Sequence, residues 1–175
     1  MFNTILPYRF VQRNRNFTGG RESWSFEDIY KFVIHSPDSR RKYLVEVRAY
    51  ADHLYTVDFY AKVQGVNRYR LRTNQYAAGK LGATMLDVIA RIIRADLRAC
   101  FGFAAAMLDE TSDVCTRRFQ LYTKMLELKV DPARYKVETL EETSTIFVMP
   151  VALANQPGSL QRIIDRYDRI FRETF

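Results

Sequence analysis

The stretch KYLVEVRAYADHLYTVDFYAKV, residues 42–63, predicts the centre of a sheet because apolar residues occupy alternate positions in both of its halves. The first half covers residues 42–50 and the second half covers residues 53–63. Successive side chains of a strand point to opposite faces, so this period of two predicts two half-buried strands. Few residues separate them, and we therefore predict a short turn between two antiparallel neighbours.

Residues on both sides of this stretch extend the pattern. Alternation with an irregular start indicates a strand over 24–34, and the segment RYRLRT predicts another over 68–73, which completes an antiparallel meander. Downstream, apolar residues at helical spacing predict helices over 84–98 and 112–128, separated by a buried strand over 100–108. A hairpin of the segments 134–140 and 144–150 follows, and a last helix begins at Ser159 with Ile163, Tyr167 and Phe171 on its apolar face.

These elements predict an α+β fold with a mixed, mainly antiparallel sheet. The sequence contains no internal repeat and no low-complexity linker, so we expect a single domain over residues 1–175. Its parts are N-terminal strands and loops over 1–41, a core over 42–150 and an amphipathic C-terminal helix over 151–175.

Composition limits the class of protein. Hydrophobic residues make up 47% of the chain, but no apolar run approaches the roughly 18 residues of a membrane span, so a globular, cytoplasmic protein without membrane contact is expected. Cys100 and Cys115 are expected to be reduced thiols, and two isolated histidines without a cysteine cluster predict no metal site. The formal net charge of +7 predicts attraction to an acidic partner, either nucleic acid or protein.

Two short motifs carry a resemblance to a known family. The segment AAGKLGATML, residues 77–86, places glycines between the predicted meander and the first predicted helix. The segment RRFQLYTKMLEL, residues 117–128, places a Leu-Tyr pair and a lysine in the second predicted helix. With the order of strands and helices over 42–150, these motifs resemble the core of the GNAT acetyltransferase superfamily. The whole chain resembles small bacterial or phage families with a shortened core of this kind.

The resemblance implies a function as well as a fold. A GNAT-like core implies a CoA-dependent N-acyltransferase that acts on an amine of a protein or small molecule. In that family, backbone N–H groups of a glycine-rich turn at a helix N-terminus hold the pyrophosphate of acetyl-CoA. The resemblance also implies that Tyr122 donates a proton to the departing thiolate. The positions that match the cofactor-binding turn are Gly79, Lys80, Gly82 and Ala83.

The same residues also have structural interpretations. Tyr122 lies on one helical stripe with Phe119 and Leu126, which is typical of a core position, and two glycines are commonly part of a simple loop. Acyl transfer to an amine also needs a proton acceptor. Glu46 and Asp58 lie on the polar faces of the two middle strands, and they are the candidate general bases.

A row of arginines supports an alternative function. Arg68, Arg70 and Arg72 alternate with less polar residues, so one face of the predicted strand presents guanidinium groups about 7 Å apart. Such a row is typical of a solvated outer strand, and it also fits a phosphate backbone or an acidic protein surface. The alternative hypothesis is therefore a catalytically inactive GNAT-like binding module that engages nucleic acid or an acidic protein.

Overall fold

The computed structural model describes residues 4–17, 23–36, 39–62, 75–104 and 117–174 of the chain. In this part of the chain, seven strands form one sheet and helices pack on both of its faces. The strands are β1 (Tyr8–Arg15), β2 (Phe26–Ser36), β3 (Ser39–Ala49), β4 (Leu54–Ala61), β5 (Cys100–Ala104), β6 (Tyr135–Leu140) and β7 (Thr145–Pro150). The helices are α1 (Gln75–Ala95), α2 (Arg117–Lys129), α3 (Val151–Ala154) and α4 (Ser159–Thr174).

The order of strands across the sheet is β1-β2-β3-β4-β5-β7-β6. The first four strands form an antiparallel meander, β4 and β5 are parallel, and β5, β7 and β6 are antiparallel. A parallel pair needs a crossover connection, and α1 provides it between β4 and β5. The predicted α+β class with a mixed, mainly antiparallel sheet is therefore confirmed, as is the hairpin that contributes β6 and β7.

One face of the sheet, here named the α1/α2 face, carries the larger apolar core. Val45, Val47 and Val57 of the central strands belong to this core, together with Met85 of α1 and Met125 of α2. All five side chains are almost fully buried. Burial of each such side chain contributes about 1.5–3 kcal/mol, so these contacts hold both helices on the sheet.

The opposite face, here named the α4 face, carries a smaller core at the end of the sheet where β4 begins. Leu54, Phe147 and Met149 of the strands pack there with Tyr167 and Ile170 of α4. The predicted docking of the last helix through its apolar face is confirmed for the described residues. The predicted contact of the Phe171 side chain lies outside them.

The turn between β3 and β4 sets the register of the two central strands. Asp52 and His53 have φ values of 60° and 62°, a left-handed conformation that costs an L residue about 1–2 kcal/mol. Asp52 forms an ion pair with Arg166 of α4, and Nδ1 of His53 lies 2.7 Å from Oδ2 of Asp96, which follows α1. Side chains from two helical regions therefore hold the turn in its strained conformation.

Some predicted boundaries were wrong. α1 begins at Gln75, nine residues before the predicted start at residue 84. Leu81 and Ala83 are buried on the α1/α2 face, and this packing extends the helix across a segment that contains two glycines. The predicted strand over 68–73 and residues 105–116 lie outside the described residues.

β1 is an edge strand whose bounds the sequence did not predict. Its pairing with β2 shifts between Phe10 and Gln12, which is a bulge that interrupts the alternation of side chains. The bidentate ion pair between Arg13 and Asp28, with oxygen distances of 2.6 and 2.7 Å, ties β1 to β2 beyond the bulge. Bulges and charges of this kind discourage pairing of an edge strand with another chain.

A glycine in β5 makes room for the C-terminal helix. Gly102 lies on the α4 face, opposite Thr56 in β4 and Phe147 in β7. A Cβ atom at this position would overlap the ring of Tyr167. That ring packs edge-on against Phe147, with ring centroids 5.1 Å apart. Tyr167 therefore fills the space that a side chain at position 102 would occupy.

The change Gly102→Ala should destabilise the protein by about 1–3 kcal/mol, the usual cost of overpacking a core. The added methyl group would push the Tyr167 ring away from Phe147, and urea-induced unfolding would record a lower midpoint. In a Tyr167→Leu background the same change should cost clearly less, because the overlapping ring is gone. An equal cost in both backgrounds would contradict this description of the packing.

Candidate functional site

Four charged side chains from three neighbouring strands meet on the α4 face. Glu27 comes from β2, Glu46 and Arg48 come from β3, and Asp58 comes from β4. The strand register places Glu27 opposite Arg48 and Glu46 opposite Asp58. Residues that face each other in this way are within contact distance. We name these four residues the carboxylate network.

Arg48 is the centre of the carboxylate network. Its Nε donates a hydrogen bond to Oε1 of Glu27 at 2.8 Å, and its Nη2 donates one to Oε2 of Glu46 at 3.2 Å. Its Nη1 lies 3.8 Å from Oδ2 of Asp58. One guanidinium group therefore contacts three carboxylates. The network has a net negative charge when all three carboxylates are ionised.

Glu46 and Asp58 are held in different ways. Glu46 is buried, and the hydroxyl of Tyr60 donates a hydrogen bond to its Oε1 while Arg48 binds its Oε2. Asp58 keeps 31% of its side chain exposed, and its contact with Arg48 is the longest in the network. Of the two predicted general bases, Asp58 is therefore the more accessible to a substrate.

Desolvation makes Asp58 a weaker acid than an ordinary aspartate, and the charges of the network adjust its pKa. Desolvation raises the pKa of Asp58 to about 6, the charges of Glu46 and Glu27 add to the rise, and Arg48 opposes it. Burial alone would lower the pKa of Arg48, but its bond to Glu27 and the nearby carboxylates raise that pKa above its ordinary value. Asp58 can thus exchange a proton near neutral pH, while Arg48 stays charged.

The parallel pair of strands opens beside Asp58. Among the described residues, β4 pairs with β5 only from Leu54 to Thr56, but it stays paired with β3 as far as Ala61. β5 meanwhile continues to Ala104, paired with β7. A gap therefore opens between two continuing strands, and we name it the β4–β5 gap. Open strand edges are places where an extended ligand can form backbone hydrogen bonds.

Tyr122, the predicted proton donor, lies on α2 and on the α1/α2 face. Its side chain is buried, and its ring packs edge-on against Phe59 of β4 with centroids 5.8 Å apart. Phe59 directly follows Asp58, and successive strand residues point to opposite faces. The structure therefore places Tyr122 and Asp58 on opposite sides of β4, close to the point where β4 leaves β5.

The predicted glycine-rich turn is part of a helix. Gly79, Lys80, Gly82 and Ala83 all lie inside α1, which starts at Gln75. Their N–H groups bond to carbonyl groups of the preceding turn, so they form neither the free backbone cradle that the resemblance implies nor a simple loop. Of these four residues, Lys80 is exposed and the other three are buried.

The predicted partner-binding arginines and the two cysteines complete the set of predicted residues. Arg68, Arg70 and Arg72, the predicted partner-binding row, lie outside the described residues, as does Cys115. Cys100 is buried, and desolvation raises the pKa of its thiol to about 12. The thiol is therefore protonated at neutral pH, which is unsuited to nucleophilic chemistry.

Comparisons with known proteins were made at the level of families, sequences and structures. The chain matches no family model, no curated protein and no solved structure. Among the described residues, no helix is long and apolar enough to cross a membrane. In the same ranges, no three His, Cys, Asp or Glu side chains are grouped in a way that could hold a metal ion.

Sequence reasoning identified Glu46 and Asp58 but did not identify Arg48 and Glu27. The sequence did contain the information that locates Arg48. It follows Glu46 by two positions in a predicted strand, and residues two positions apart in a strand lie on the same face. Glu27 lies on another strand, and its place in the network depends on the β2–β3 register that pairs it with Arg48. Pairing between distant segments is not visible in local periodicity.

The carboxyl group of Asp58 should titrate with a midpoint near pH 6, which carbon-13 NMR of the side-chain carboxyl can measure. An unfolded aspartate titrates at about 3.9, so the folded protein holds this proton more tightly. The contribution of Asp58 to the free energy of unfolding should therefore fall by about 1–2 kcal/mol as pH rises from about 4 to about 6. Asp58→Asn should remove that fall.

Two further variants test the cause of this titration. Arg48→Met removes the cation that lowers the pKa of Asp58, so the midpoint of its titration should rise. The variant also leaves buried Glu46 without its ionic partner, which should lower the free energy of unfolding by about 3–5 kcal/mol. Asp165→Asn changes an exposed carboxylate on α4 and should leave the midpoint of Asp58 unchanged. A midpoint for Asp58 near the ordinary aspartate value would contradict the described electrostatics.

Proposed function

We propose that the protein is a CoA-dependent N-acyltransferase with a GNAT-like core. The observation that carries the proposal is the position of Asp58, a carboxyl group with a pKa of about 6, beside the β4–β5 gap. Acyl transfer to an amine needs a proton acceptor whose pKa lies near the working pH. The order of the described elements, a meander followed by α1, β5, α2 and the β6–β7 hairpin, supports the resemblance to the GNAT core.

The β4–β5 gap is where we expect the extended, amide-containing arm of acetyl-CoA to bind. An extended ligand can bind a strand edge through backbone hydrogen bonds, as an added strand would. Phe59 and Tyr122 give the gap an apolar border on the α1/α2 face. For the phosphates, the N–H groups of α1 that lack a partner within the helix are those of its first turn, which begins at Gln75. We therefore expect phosphate contacts at that turn instead of at residues 79–83.

Asp58 and Tyr122, the two candidate proton-transfer groups, lie on opposite faces of β4. Acetyl-CoA would supply the acyl group as a thioester. On the α4 face, a carboxylate oxygen of Asp58 would accept a proton from the attacking amine. On the α1/α2 face, the hydroxyl of Tyr122 would donate a proton to the leaving thiolate. Because these residues lie on opposite sides of β4, proton removal and proton delivery do not compete for one space.

Glu46 is better suited to positioning than to proton transfer. Both of its carboxylate oxygens are engaged, one by Tyr60 and the other by Arg48. These bonds hold Arg48 next to Asp58, and the charge of Glu46 adds to the raised pKa of Asp58. Glu46 therefore acts through its neighbours in this proposal, whereas Asp58 faces the substrate.

Titration calorimetry with acetyl-CoA tests cofactor binding, and thiol release in the presence of a panel of primary amines tests transfer. The transfer rate should rise as pH increases through about 6, because Asp58 then loses its proton. Asp58→Asn should bind acetyl-CoA as tightly as the natural protein but transfer the acyl group about 10²–10⁴-fold more slowly. The rise in rate near pH 6 should also disappear in this variant.

Matched variants separate the proposed roles from general damage. Tyr122→Phe should retain acetyl-CoA binding and lose transfer rate, whereas Tyr135→Phe, on the distant strand β6, should keep both. Asp165→Asn should behave like the natural protein. The absence of both binding heat and a thermal shift at millimolar acetyl-CoA would refute the proposed acyltransferase.

A further inference from the structure

A second charged region lies on the α4 face, further along the strands than the carboxylate network. Its cations are Arg9 of β1, Lys31 of β2, Arg40 and Lys42 of β3, and Lys62 immediately after β4. We name these five residues the basic patch. They occur on four successive strands or their ends, so the patch spans about half of the sheet.

The strand register brings the basic patch onto one surface. Lys31 faces Arg9 across the β1–β2 pair, and Arg40 precedes Lys42 by two positions in β3, so each pair shares a face. The N–H of Lys62 donates a hydrogen bond to the carbonyl of Lys42 at 2.8 Å. Strands lie about 4.8 Å apart and alternate residues about 7 Å apart, so the cations form a two-dimensional array.

The positive charge of the basic patch is not neutralised within the described part of the chain. Lys31 is half-buried and the other four side chains are exposed. No described Asp or Glu forms an ion pair with any of the five. Partial burial lowers the pKa of Lys31, and the charges of Lys42, Arg9, Lys62 and Arg40 lower it further. The five cations therefore repel one another in the free protein.

We propose that the basic patch binds the phosphate backbone of nucleic acid. A dense array of like charges, which has no ion-pair partner among the described acidic residues, gains free energy when phosphates bind to it and the counterions of the nucleic acid are released. The array lies on an exposed sheet surface, and backbone contacts of this kind position a protein without reading base sequence. Binding should therefore depend weakly on sequence and strongly on salt.

The residue types favour a phosphate backbone over an acidic protein. Protein interfaces usually have an apolar or aromatic centre and are depleted in lysine. In the basic patch, three of the five cations are lysines, and the apolar neighbours Val33 and Leu44 are half-buried instead of exposed. A surface with these properties presents positive charges that can bind phosphates. Its apolar side chains are too little exposed to form the apolar centre of a protein interface.

The carboxylate network limits where a polyanion can lie. Glu46 and Asp58 lie on the same face of β3 and β4 as the basic patch. They are nearer than the patch to the end of the sheet that α4 covers. Their negative charge repels phosphates from that direction, so the bound strand is restricted to the end of the β2–β3 hairpin. This proposal does not depend on acyl transfer, because it uses different residues.

Fluorescence anisotropy with a labelled single-stranded RNA, and in parallel with a labelled DNA duplex, tests the proposal between about 50 and 200 mM salt. The logarithm of affinity should fall linearly with the logarithm of salt concentration. The triple variant Lys31→Gln, Lys42→Gln, Lys62→Gln should bind RNA at least about tenfold more weakly at the lowest salt. Its salt slope should be smaller by about 2, since each phosphate contact on a single strand contributes about 0.7.

The matched control removes the same amount of charge from another surface. Arg94, Arg98 and Lys124 are exposed cations at the end of α1, just after it, and on α2. Their triple change to Gln should leave RNA affinity within about twofold of the natural protein, because α1 and α2 lie on the opposite face of the sheet and salt screens charges at that distance from the bound strand. Thermal unfolding of both triple variants should match the natural protein, which shows that any loss of binding is not a loss of fold.

Three results would overturn the proposal. The first is the absence of a complex with either nucleic acid at the lowest salt. The second is an equal loss of affinity in the control, which would show that net charge and not the basic patch determines binding. The third is displacement of RNA by polyglutamate as effectively as by unlabelled RNA, which would favour an acidic protein as the partner.

Discussion

Arg48 supplies the positive charge that lets three carboxylates lie close together on the α4 face. It contacts Glu27, Glu46 and Asp58, which come from three different strands. Without this cation, like charges would face one another between neighbouring strands in a partly buried site, which destabilises a sheet. Desolvation is the main cause of the raised pKa of Asp58, the charges of Glu46 and Glu27 add to it, and Arg48 opposes it. The cation that stabilises the charged strands therefore also keeps the pKa of Asp58 from rising further.

β4 connects this charge arrangement to the rest of the molecule. One set of its alternating side chains enters the larger core, and the other set includes Asp58 and Tyr60 on the α4 face. One edge of β4 pairs with β3 as far as Ala61, but the other leaves β5 after Thr56. The strand is thus held by the larger core on one face and by β3 along one edge, and its other edge is open after Thr56. A rigid support next to an opening is what a precisely positioned reactive group needs.

Features that depend on local periodicity could be predicted, and features that depend on distant pairing could not. Alternation over residues 42–63 correctly assigned Glu46 and Asp58 to polar strand faces, which was enough to select them as candidates. Their direct opposition depends on the register of the β3–β4 turn, whose left-handed residues are not glycines. The start of α1 was misplaced because Gly79 and Gly82 suggested a turn. Each helical glycine costs about 1 kcal/mol, and packing of the apolar stripe outweighs that cost.

The β3–β4 turn also joins the helices that cover the two faces of the sheet. Asp52 is held by Arg166 of α4, and His53 is held by Asp96 at the end of α1. The left-handed conformation persists while both contacts offset its cost. If either helix detached, the turn would lose one of the two contacts that offset its strain, and the alignment of the central strands, on which both cores are built, would weaken. The two cores should therefore unfold as one cooperative unit, without an accumulating intermediate in which a single helix is released.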